Sequence, residues 1–204
     1  MEDSDDALLS RWRQADAAAG TELFRRYFDR VRRFFHTKVD PRDVEELVQT
    51  TFAAVVEGRD RFRGDGEFGG YIFGVARHIL YRHLRKRASP GREVDGSVSS
   101  VAALGMSPSS VVAQREHADL VQRALQRIPV QQQMLLELSY WEEMPNKELA
   151  VVLEVEPTTV RTRLFRARAA LEAELRVLMA IAPGAELPFA PAAIAKGMHG
   201  SRKR

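Results

Sequence analysis

The sequence predicts an all-α protein in which a flexible linker joins two small helical domains. Apolar residues recur at helical spacing along most of the 204-residue chain, and no sustained alternation of apolar and polar residues indicates a strand. Gly, Pro and Ser dominate residues 89–113 and the charge falls there, as expected for a linker. Hydrophobic residues make up 45% of the chain, which is sufficient for a core in each half.

Four helices are predicted in the N-terminal half, which we expect to form one compact domain over residues 1–88. Asp40-Pro41 separates the second helix from the third, because proline rarely continues a helix. A loop rich in Gly, Asp and Arg, from Arg59 to Gly70, leads into the fourth helix. The four helices are predicted at about residues 5–15, 19–37, 42–57 and 70–87.

Four further helices are predicted in the C-terminal half, which we expect to form a second domain over residues 114–179. Residues 180–204 are rich in Ala, Pro and Gly and end in Ser-Arg-Lys-Arg, which predicts a poorly ordered basic tail. The helices of this half are predicted at about residues 113–127, 130–140, 146–153 and 157–179.

The last two of these helices have the pattern of a helix-turn-helix. A short apolar helix is followed by a break at Glu154-Val155-Glu156, and Pro157 then opens a helix whose first twelve residues include four arginines. Val160, Leu164 and Ala167 fall at helical spacing and are expected to pack inward, with the arginines facing outward. An amphipathic helix with a solvated basic face has the same pattern, so this segment alone leaves both interpretations open.

The composition excludes several classes of function. The chain has no cysteine, which removes disulfides, thiolate metal sites and cysteine nucleophiles. The histidines are scattered, so we expect no catalytic residue, no metal site and no cofactor. No apolar segment approaches the roughly 20 residues that span a bilayer. The net charge is only +3, yet basic residues cluster at 82–87 and 161–168, which is typical of a phosphate-binding surface.

Two blocks of sequence, in order and suitably spaced, resemble the bacterial sigma-70 factors. The segment from Asp43 to Phe52, DVEELVQTTF, is similar to region 2.2, and the segment from Phe62 to His78, FRGDGEFGGYIFGVARH, is similar to regions 2.3 and 2.4. The segment from Ile128 to Ala150 is similar to region 4, and the helix-turn-helix then corresponds to region 4.2. With two domains and a short connector, the chain resembles the extracytoplasmic-function (group IV) sigma factors.

This resemblance implies a transcription initiation factor and not an enzyme. The protein would bind core RNA polymerase at the β′ clamp helices and the β flap. It would read the upstream (−35) and downstream (−10) elements of promoter DNA and help to open the downstream element. An anti-sigma factor is implied as an antagonist, with no small-molecule substrate and no membrane insertion. The implied location is the bacterial cytoplasm, at the nucleoid when the factor is in holoenzyme.

Region 4.2 is expected to read the upstream element. The N-terminal end of a recognition helix meets base edges in the major groove, where arginine can bind guanine through two hydrogen bonds. Arg166 is expected mainly to hold phosphate, whereas Arg168 is equally compatible with DNA, solvent or polymerase. The residues assigned to this element are Thr158, Thr159, Arg161, Thr162, Arg163 and Arg166.

Regions 2.3 and 2.4 are expected to capture and track the opened downstream strand. An extruded base needs a stacking pocket, and glycine lets the backbone approach nucleic acid closely. Phe68 and Tyr71 suit that role, although both rings could instead belong to the core. The residues assigned to the pocket are Glu67, Phe68, Gly69, Gly70 and Tyr71. A basic stripe that would track phosphates follows, formed by Arg77, Arg82, Arg85, Lys86 and Arg87.

Region 2.2 is implied by the resemblance to bind polymerase. Its acidic edge suits a basic partner, but a plain amphipathic core helix would look similar. The residues assigned to this contact are Asp43, Glu46, Leu47, Gln49 and Phe52.

Several positions depart from the usual family pattern. Glu154 stands where a glycine usually occupies the turn of region 4.2. Either the turn differs, or a non-glycine residue adopts a left-handed backbone at a cost of about 1 kcal/mol. Glu156 replaces a common Ser cap, and Glu143 replaces a common Gly before the motif.

Two other interpretations are compatible with the sequence. A polymerase-independent helix-turn-helix regulator would use the first domain for sensing or dimerisation, and it would bind duplex DNA tightly on its own. An adaptor could keep the fold without promoter activity. The linker would span about 25–30 Å as a coil and about 80–90 Å when extended, so it bridges two promoter elements about 58 Å apart only when drawn out. We therefore expect a compact free form that binds promoters poorly by itself.

Overall fold

The computed structural model describes residues 3–60, 68–87 and 113–180, with side chains of 113–119 left undescribed. Within these residues the protein consists of α-helices without a β-strand, so the predicted all-α class is confirmed. None of the described helices combines the length and apolar character that crossing a membrane requires. The helices are α1 (Asp5–Arg13), α2 (Ala17–His36), α3 (Pro41–Gly58), α4 (Phe68–Arg87), α5 (Ala113–Arg127), α6 (Val130–Tyr140), α7 (Asn146–Leu153) and α8 (Pro157–Leu178).

Parts of the sequence-based predictions fall outside the described residues. They are the predicted linker at 89–113 except residue 113, the predicted tail at 180–204 except residue 180, and Glu67. The loop predicted to reach Gly70 is shorter than expected, because α4 begins at Phe68.

Side-chain caps explain where the first helices begin. The Asp16 carboxylate accepts hydrogen bonds from the amides of Ala18 and Ala19 at the start of α2. Asp40 accepts from the Arg42 amide at the start of α3, and Pro41 occupies the first turn, where its missing N–H costs nothing. The break predicted at Asp40-Pro41 is therefore confirmed.

Helices α1–α4 form an N-terminal unit around α2. Leu23, Val31 and Phe35 of α2 are fully buried, together with Val55 of α3 and Phe73 of α4. The ring of Phe34 lies 5.7 Å from that of Phe73, which links α2 to α4 through an aromatic contact. This packing holds α3 and α4 beside each other, and these two helices carry the residues assigned to polymerase and to the downstream element.

Helices α5–α8 form a C-terminal unit around α8. Val160, Leu164 and Ala167 are at most 5% exposed, as the helical spacing predicted, and Leu171 and Leu175 extend the buried stripe. Helix α8 packs against α5, α6 and α7. The two units also touch, because α7 lies against α4 and the buried cluster is continuous across the contact.

Candidate nucleic-acid interface

The turn between α7 and α8 keeps a left-handed residue although no glycine is present. Glu154 has φ 55° and ψ 48°, and its amide and that of Val155 donate to the carbonyls of Val151 and Ala150. Glu143, before α7, also has a positive φ of 51°. Each non-glycine residue in this conformation costs about 1 kcal/mol. Of the two alternatives, the turn therefore has the usual left-handed conformation, and Glu154 adopts it at this cost in free energy.

The N-terminal half of α8 presents exposed polar and basic residues. Thr158, Arg161, Thr162 and Arg166 are exposed, whereas Thr159 is half-buried. Within the part of the chain that the structure describes, neither Arg161 nor Arg166 forms an ion pair. Their positive charge is therefore uncompensated on the outer surface of the motif.

Arg163 and Arg168 are held differently from these two arginines. Arg163 was expected to face outward, but it is half-buried and its Nη1 atom is buried without a hydrogen-bond partner. Its place three residues after Val160 and four before Ala167 puts it on the margin of the buried stripe. The Arg168 guanidinium lies 5.5 Å from the centroid of the Tyr140 ring, in contact with α6.

Phe165 was not assigned from the sequence, yet it is 71% exposed on the same helix. It follows Leu164 and lies four residues after Arg161, so it shares the exposed face with the uncompensated arginines. The signal was present, because Phe165 lies outside the Val160, Leu164 and Ala167 stripe.

The assigned pocket residues at the start of α4 are mostly covered. Phe68 is fully buried, and its ring lies 5.1 Å from that of Tyr27 and 6.2 Å from that of Tyr71. Of the two interpretations, a stacking pocket or the core, Phe68 therefore belongs to the core in this conformation. Gly69 is buried in the first turn of the helix, where a Cβ atom would lie 3.1 Å from Tyr27 Oη. Its backbone therefore lies against a tyrosine. Residues 68–70, predicted as the end of a loop, form the first turn of α4.

The basic stripe on α4 is open in the middle and paired at its ends. Arg82 and Lys86 are exposed and form no ion pair within the described residues. The Arg85 Nε–H donates to the Tyr81 carbonyl at 3.4 Å. At one end, Arg87 pairs with Asp43 of α3.

The other end of the stripe is covered by the C-terminal unit. Arg77 is only 14% exposed, and its Nη1 lies 3.1 Å from Glu154 Oε2. His78 Nε2 lies 2.9 Å from Glu154 Oε1. Burial raises the pKa of the Glu154 carboxyl, but the adjacent charges of Arg77 and His78 outweigh it, and the net pKa is lowered. The Glu154 carboxylate is thus stabilised as an anion on the stripe.

The residues assigned to polymerase on α3 divide into an exposed and a buried group. Glu46 and Gln49 are exposed, whereas Leu47 and Phe52 are 6% and 8% exposed and belong to the core. Asp43 pairs with Arg87 and lies 3.5 Å from His83, and burial lowers the pKa of that imidazole against the opposing charge of Asp43.

An apolar patch beside α3 was missed. Phe28 of α2 is 43% exposed and stacks on Phe52, with ring centroids 6.1 Å apart. Val56, four residues after Phe52 on α3, is 42% exposed. The sequence of α2 could have indicated this patch, because the helix has more large apolar residues than one core-facing stripe can bury.

Two family models and several known proteins match this chain. The family model for Sigma-70 region 2 matches residues 23–89, and the model for Sigma-70, region 4 matches residues 118–171. The chain is similar to the ECF RNA polymerase sigma-E factor of Salmonella typhimurium, with 27% identity over 184 residues, which is 86% of this chain and 96% of that protein.

Two solved structures have a similar fold. One is CnrH in complex with the cytosolic domain of CnrY, with a TM-score of 0.64 and 23% identity over 88% of this chain and 100% of that one. The other is the sigma factor RpoE in complex with the anti-sigma factor NepR from Bartonella quintana. It has a TM-score of 0.60 and 22% identity, and the match covers 77% of this chain and 96% of that one.

Proposed function

Since this chain belongs to the sigma-70 family, as an RNA polymerase sigma factor of the extracytoplasmic-function group, we propose that its two helical units divide promoter reading between α8 and α4. The protein binds core RNA polymerase and directs promoter-specific initiation of transcription. The two domains that divide this task extend over residues 1–88 and 114–179 in this proposal.

Recognition of the upstream element is assigned to the exposed face of α8. Arg161 lies near the N-terminal end of the helix and has no ion-pair partner in the described structure, so its guanidinium is available to a guanine edge. Thr158 and Thr162 flank it, and Phe165 offers an apolar surface that suits a thymine methyl group. Arg166 holds phosphate and thereby sets the register of the helix. Arg163, half-buried, supports this face from its margin.

The downstream element is assigned to α4. Arg82, Arg85 and Lys86 form the accessible part of the basic stripe and track the phosphates of the opened strand. Tyr71 is the partly exposed aromatic residue near the start of the helix, and it is the described residue best placed to stack on a base. Phe68 supports it from the core, with the two rings 6.2 Å apart.

Core polymerase is assigned to the outer edge of α3 and the apolar patch beside it. Glu46 and Gln49 supply polar contacts, and Phe28 and Val56 supply exposed apolar surface that a partner can bury. We expect Phe28→Ser to weaken co-purification with core polymerase. Val151→Ser, which removes an even more exposed apolar residue (59%) from α7, is the matched control and should leave it unchanged.

The similar proteins suggest a further partner besides polymerase and DNA. An anti-sigma factor is proposed because the similar RpoE structure holds one. We also propose that the protein acts in the bacterial cytoplasm without catalysing a reaction of its own, since promoter reading requires binding and strand separation and no covalent step.

Transcription in vitro with sigma-free core polymerase and a promoter library tests the proposal. The protein should produce defined start sites, and Arg161→Ala should weaken upstream-element recognition by about 5- to 150-fold, which corresponds to about 1–3 kcal/mol, while core binding is retained. Arg123→Ala, an exposed arginine of α5, is the matched control. Absence of start sites together with tight duplex binding by the free protein would favour the polymerase-independent regulator instead.

A further inference from the structure

Three glutamates of the C-terminal unit reach across to basic groups of the N-terminal unit. They lie on α6, just after α6 and at the α7–α8 turn, and their five partners are on α2, just after α2 or on α4. We call these three glutamates the latch. Its contacts are Glu137 with Lys38, Glu142 with Arg30 and Arg33, and Glu154 with Arg77 and His78.

The innermost contact is buried completely. Lys38 is 0% exposed and Glu137 is 2% exposed, although they are 99 residues apart in sequence. The Lys38 ammonium donates to Glu137, to the Phe34 carbonyl at 2.7 Å and to Thr37 Oγ1 at 3.0 Å, so each of its three hydrogens has an acceptor. Lys and Glu are almost never buried unless they are paired. Their burial is therefore a property of the contact between the units.

The second contact lies at the edge of the interface. The Glu142 carboxylate is 7% exposed and accepts from Arg30 Nε, and Arg33 Nη2 approaches its other oxygen at 3.6 Å. Arg30 is itself fixed, because its guanidinium lies 4.5 Å from the centroid of the Tyr27 ring. A carboxylate in the link after α6 is thus held by a preorganised cation of α2.

The third contact occupies a nucleic-acid surface. Both oxygens of Glu154 are on the basic stripe, at 3.1 Å from Arg77 and 2.9 Å from His78, where a phosphate of the downstream strand would bind. The glycine that usually occupies this turn has no side chain and could not make the contact. Glu154 instead keeps a left-handed backbone, and the interdomain pair offsets part of that strain.

The ion pairs of the latch stabilise the closed arrangement only moderately. A buried ion pair roughly balances its own desolvation, and partly exposed pairs contribute little each. The 25 residues between α4 and α5 are enough chain to let the units separate. The interface can therefore form in the free protein and still open when a stronger partner competes for one side.

We propose that the latch closes the free protein and that Glu154 competes with promoter phosphates for Arg77 and His78, so that the downstream element is read only after the units separate. The competition rests on the proposed function of α4, whereas the closed form itself does not. In the closed form the latch blocks the Arg77 end of the basic stripe, and an open form exposes that end. Polymerase, by holding the two units apart, supplies the open form.

Distance measurement on the free full-length chain tests the closed form. Because the chain has no cysteine, spin labels can be placed at Ala18→Cys and Ala169→Cys, two exposed positions on different units, without background. With the three latch glutamates unchanged, the distance between labels 18 and 169 should have one narrow distribution. Glu142→Gln with Glu154→Gln should lower the ratio of closed to open populations by about 3- to 30-fold.

A matched control removes the same charge without touching the interface. Glu172→Gln with Glu174→Gln eliminates two carboxylates that pair inside the C-terminal unit, with Arg176 and Arg127, and should leave the distances unchanged. Exchanging the charges, Arg77→Glu with Glu154→Arg, should restore the closed distance that Glu154→Arg alone removes. Circular dichroism verifies that each variant is folded.

Binding to a labelled single-stranded oligonucleotide of random sequence tests the competition. The latch double variant should bind more tightly than the control double variant by about the factor by which it opens, since affinity scales with the competent fraction. Equal distances in the two variants, or opening without a gain in affinity, would overturn the proposal. Failure of the unmodified protein to initiate transcription with core polymerase would count against the proposed function alone, because the distances are measured without polymerase.

Discussion

Replacing either member of the Lys38–Glu137 pair should open the two units, whereas replacing both should leave them closed. The perturbations are Lys38→Met, Glu137→Met and the double variant. Methionine has a volume similar to both residues and carries no charge. The prediction follows from the asymmetry between losing one member of a buried ion pair and losing both.

The magnitude follows from the hydrogen bonds around the pair. Without Glu137, the Lys38 ammonium keeps only the Phe34 carbonyl and Thr37 as acceptors, and its charge at 0% exposure retains only the weaker attraction of Glu142. Breaking a buried pair in this way costs about 3–5 kcal/mol, or about two to three and a half powers of ten in the closed-to-open ratio. Separation of the units relieves the cost, because Lys38 then becomes solvated.

The double variant leaves no buried charge without a partner, and each buried donor atom around the pair keeps one acceptor. Gln133 Nε2, which donates to Glu137, also donates to the Thr37 carbonyl at 3.0 Å. The Thr37 hydroxyl, 3.3 Å from Glu137, also lies 3.4 Å from the Phe34 carbonyl. Replacement of a buried pair by apolar residues is then about neutral or stabilising by about 1–4 kcal/mol. The double-mutant cycle should consequently show a coupling energy of several kcal/mol.

The two single variants should respond to pH in opposite directions. Burial lowers the pKa of Lys38 against the opposing charge of Glu137, and burial raises the pKa of Glu137 against that of Lys38. In Glu137→Met, the closed form binds fewer protons than the open form below pH 10.5, so it gains stability as the pH rises towards that value. In Lys38→Met, the closed form binds more protons above pH 4.5, so it gains stability as the pH falls towards that value.

Spin-label distances between positions 18 and 169, recorded across pH for all three variants, provide the assay. The control is the exposed Arg32–Glu45 pair, 49% and 56% exposed and 2.8 Å apart inside the N-terminal unit. Its double-mutant cycle should show at most about 1 kcal/mol and no change in distance. Additive effects of the Lys38 and Glu137 replacements, or single variants that stay closed, would refute the reasoning.

Two further predictions concern the N-terminal unit. Gly20→Ala should lower the free energy of unfolding by about 1–3 kcal/mol in urea denaturation, because its Cβ would lie 2.6 Å from Trp12 Cδ1. Gly74→Ala, where a Cβ meets nothing within 4 Å, is the control and should be neutral or stabilise by up to about 1 kcal/mol; equal effects would contradict the packing argument. An NMR titration should place the pKa of Glu22 at about 2, because the arginines three and four residues along α2 donate hydrogen bonds to it. This lowered pKa contributes stability above pH 4.5 that is lost as the pH falls towards 2, and a Glu22 titration near 4.5 would exclude it.

The helices could be predicted where local chemistry determines them. Asp40 and Pro41 mark the start of α3 through one side-chain acceptor and one missing donor, both within a few residues. The buried stripe of α8 follows from its spacing alone. The start of α4 was predicted two residues late because a glycine pair usually signals a loop, whereas here the absent side chain of Gly69 admits the Tyr27 hydroxyl against a helix.

The contacts between the units could not be predicted, because no periodicity relates residues about 100 positions apart. In sequence, Lys38 and Glu137 look like ordinary charged residues near helix ends. Only the meeting of α6 with the end of α2 makes them a buried pair. Arg163 is an intermediate case, since its margin position on α8 was visible in the spacing but the burial of its Nη1 depends on packing.

The two surfaces proposed to read promoter DNA differ in one respect that bears on the order of events. Arg161 and Arg166 are exposed in the closed form and have no ion-pair partner among the described residues, so α8 can meet duplex DNA without any rearrangement. On α4, Arg77 is paired with a carboxylate of the other unit. The same turn residue, Glu154, ends the first helix of the duplex-reading motif and covers the strand-reading stripe. We therefore propose that upstream recognition precedes opening and that strand capture depends on separating the helix-turn-helix from α4.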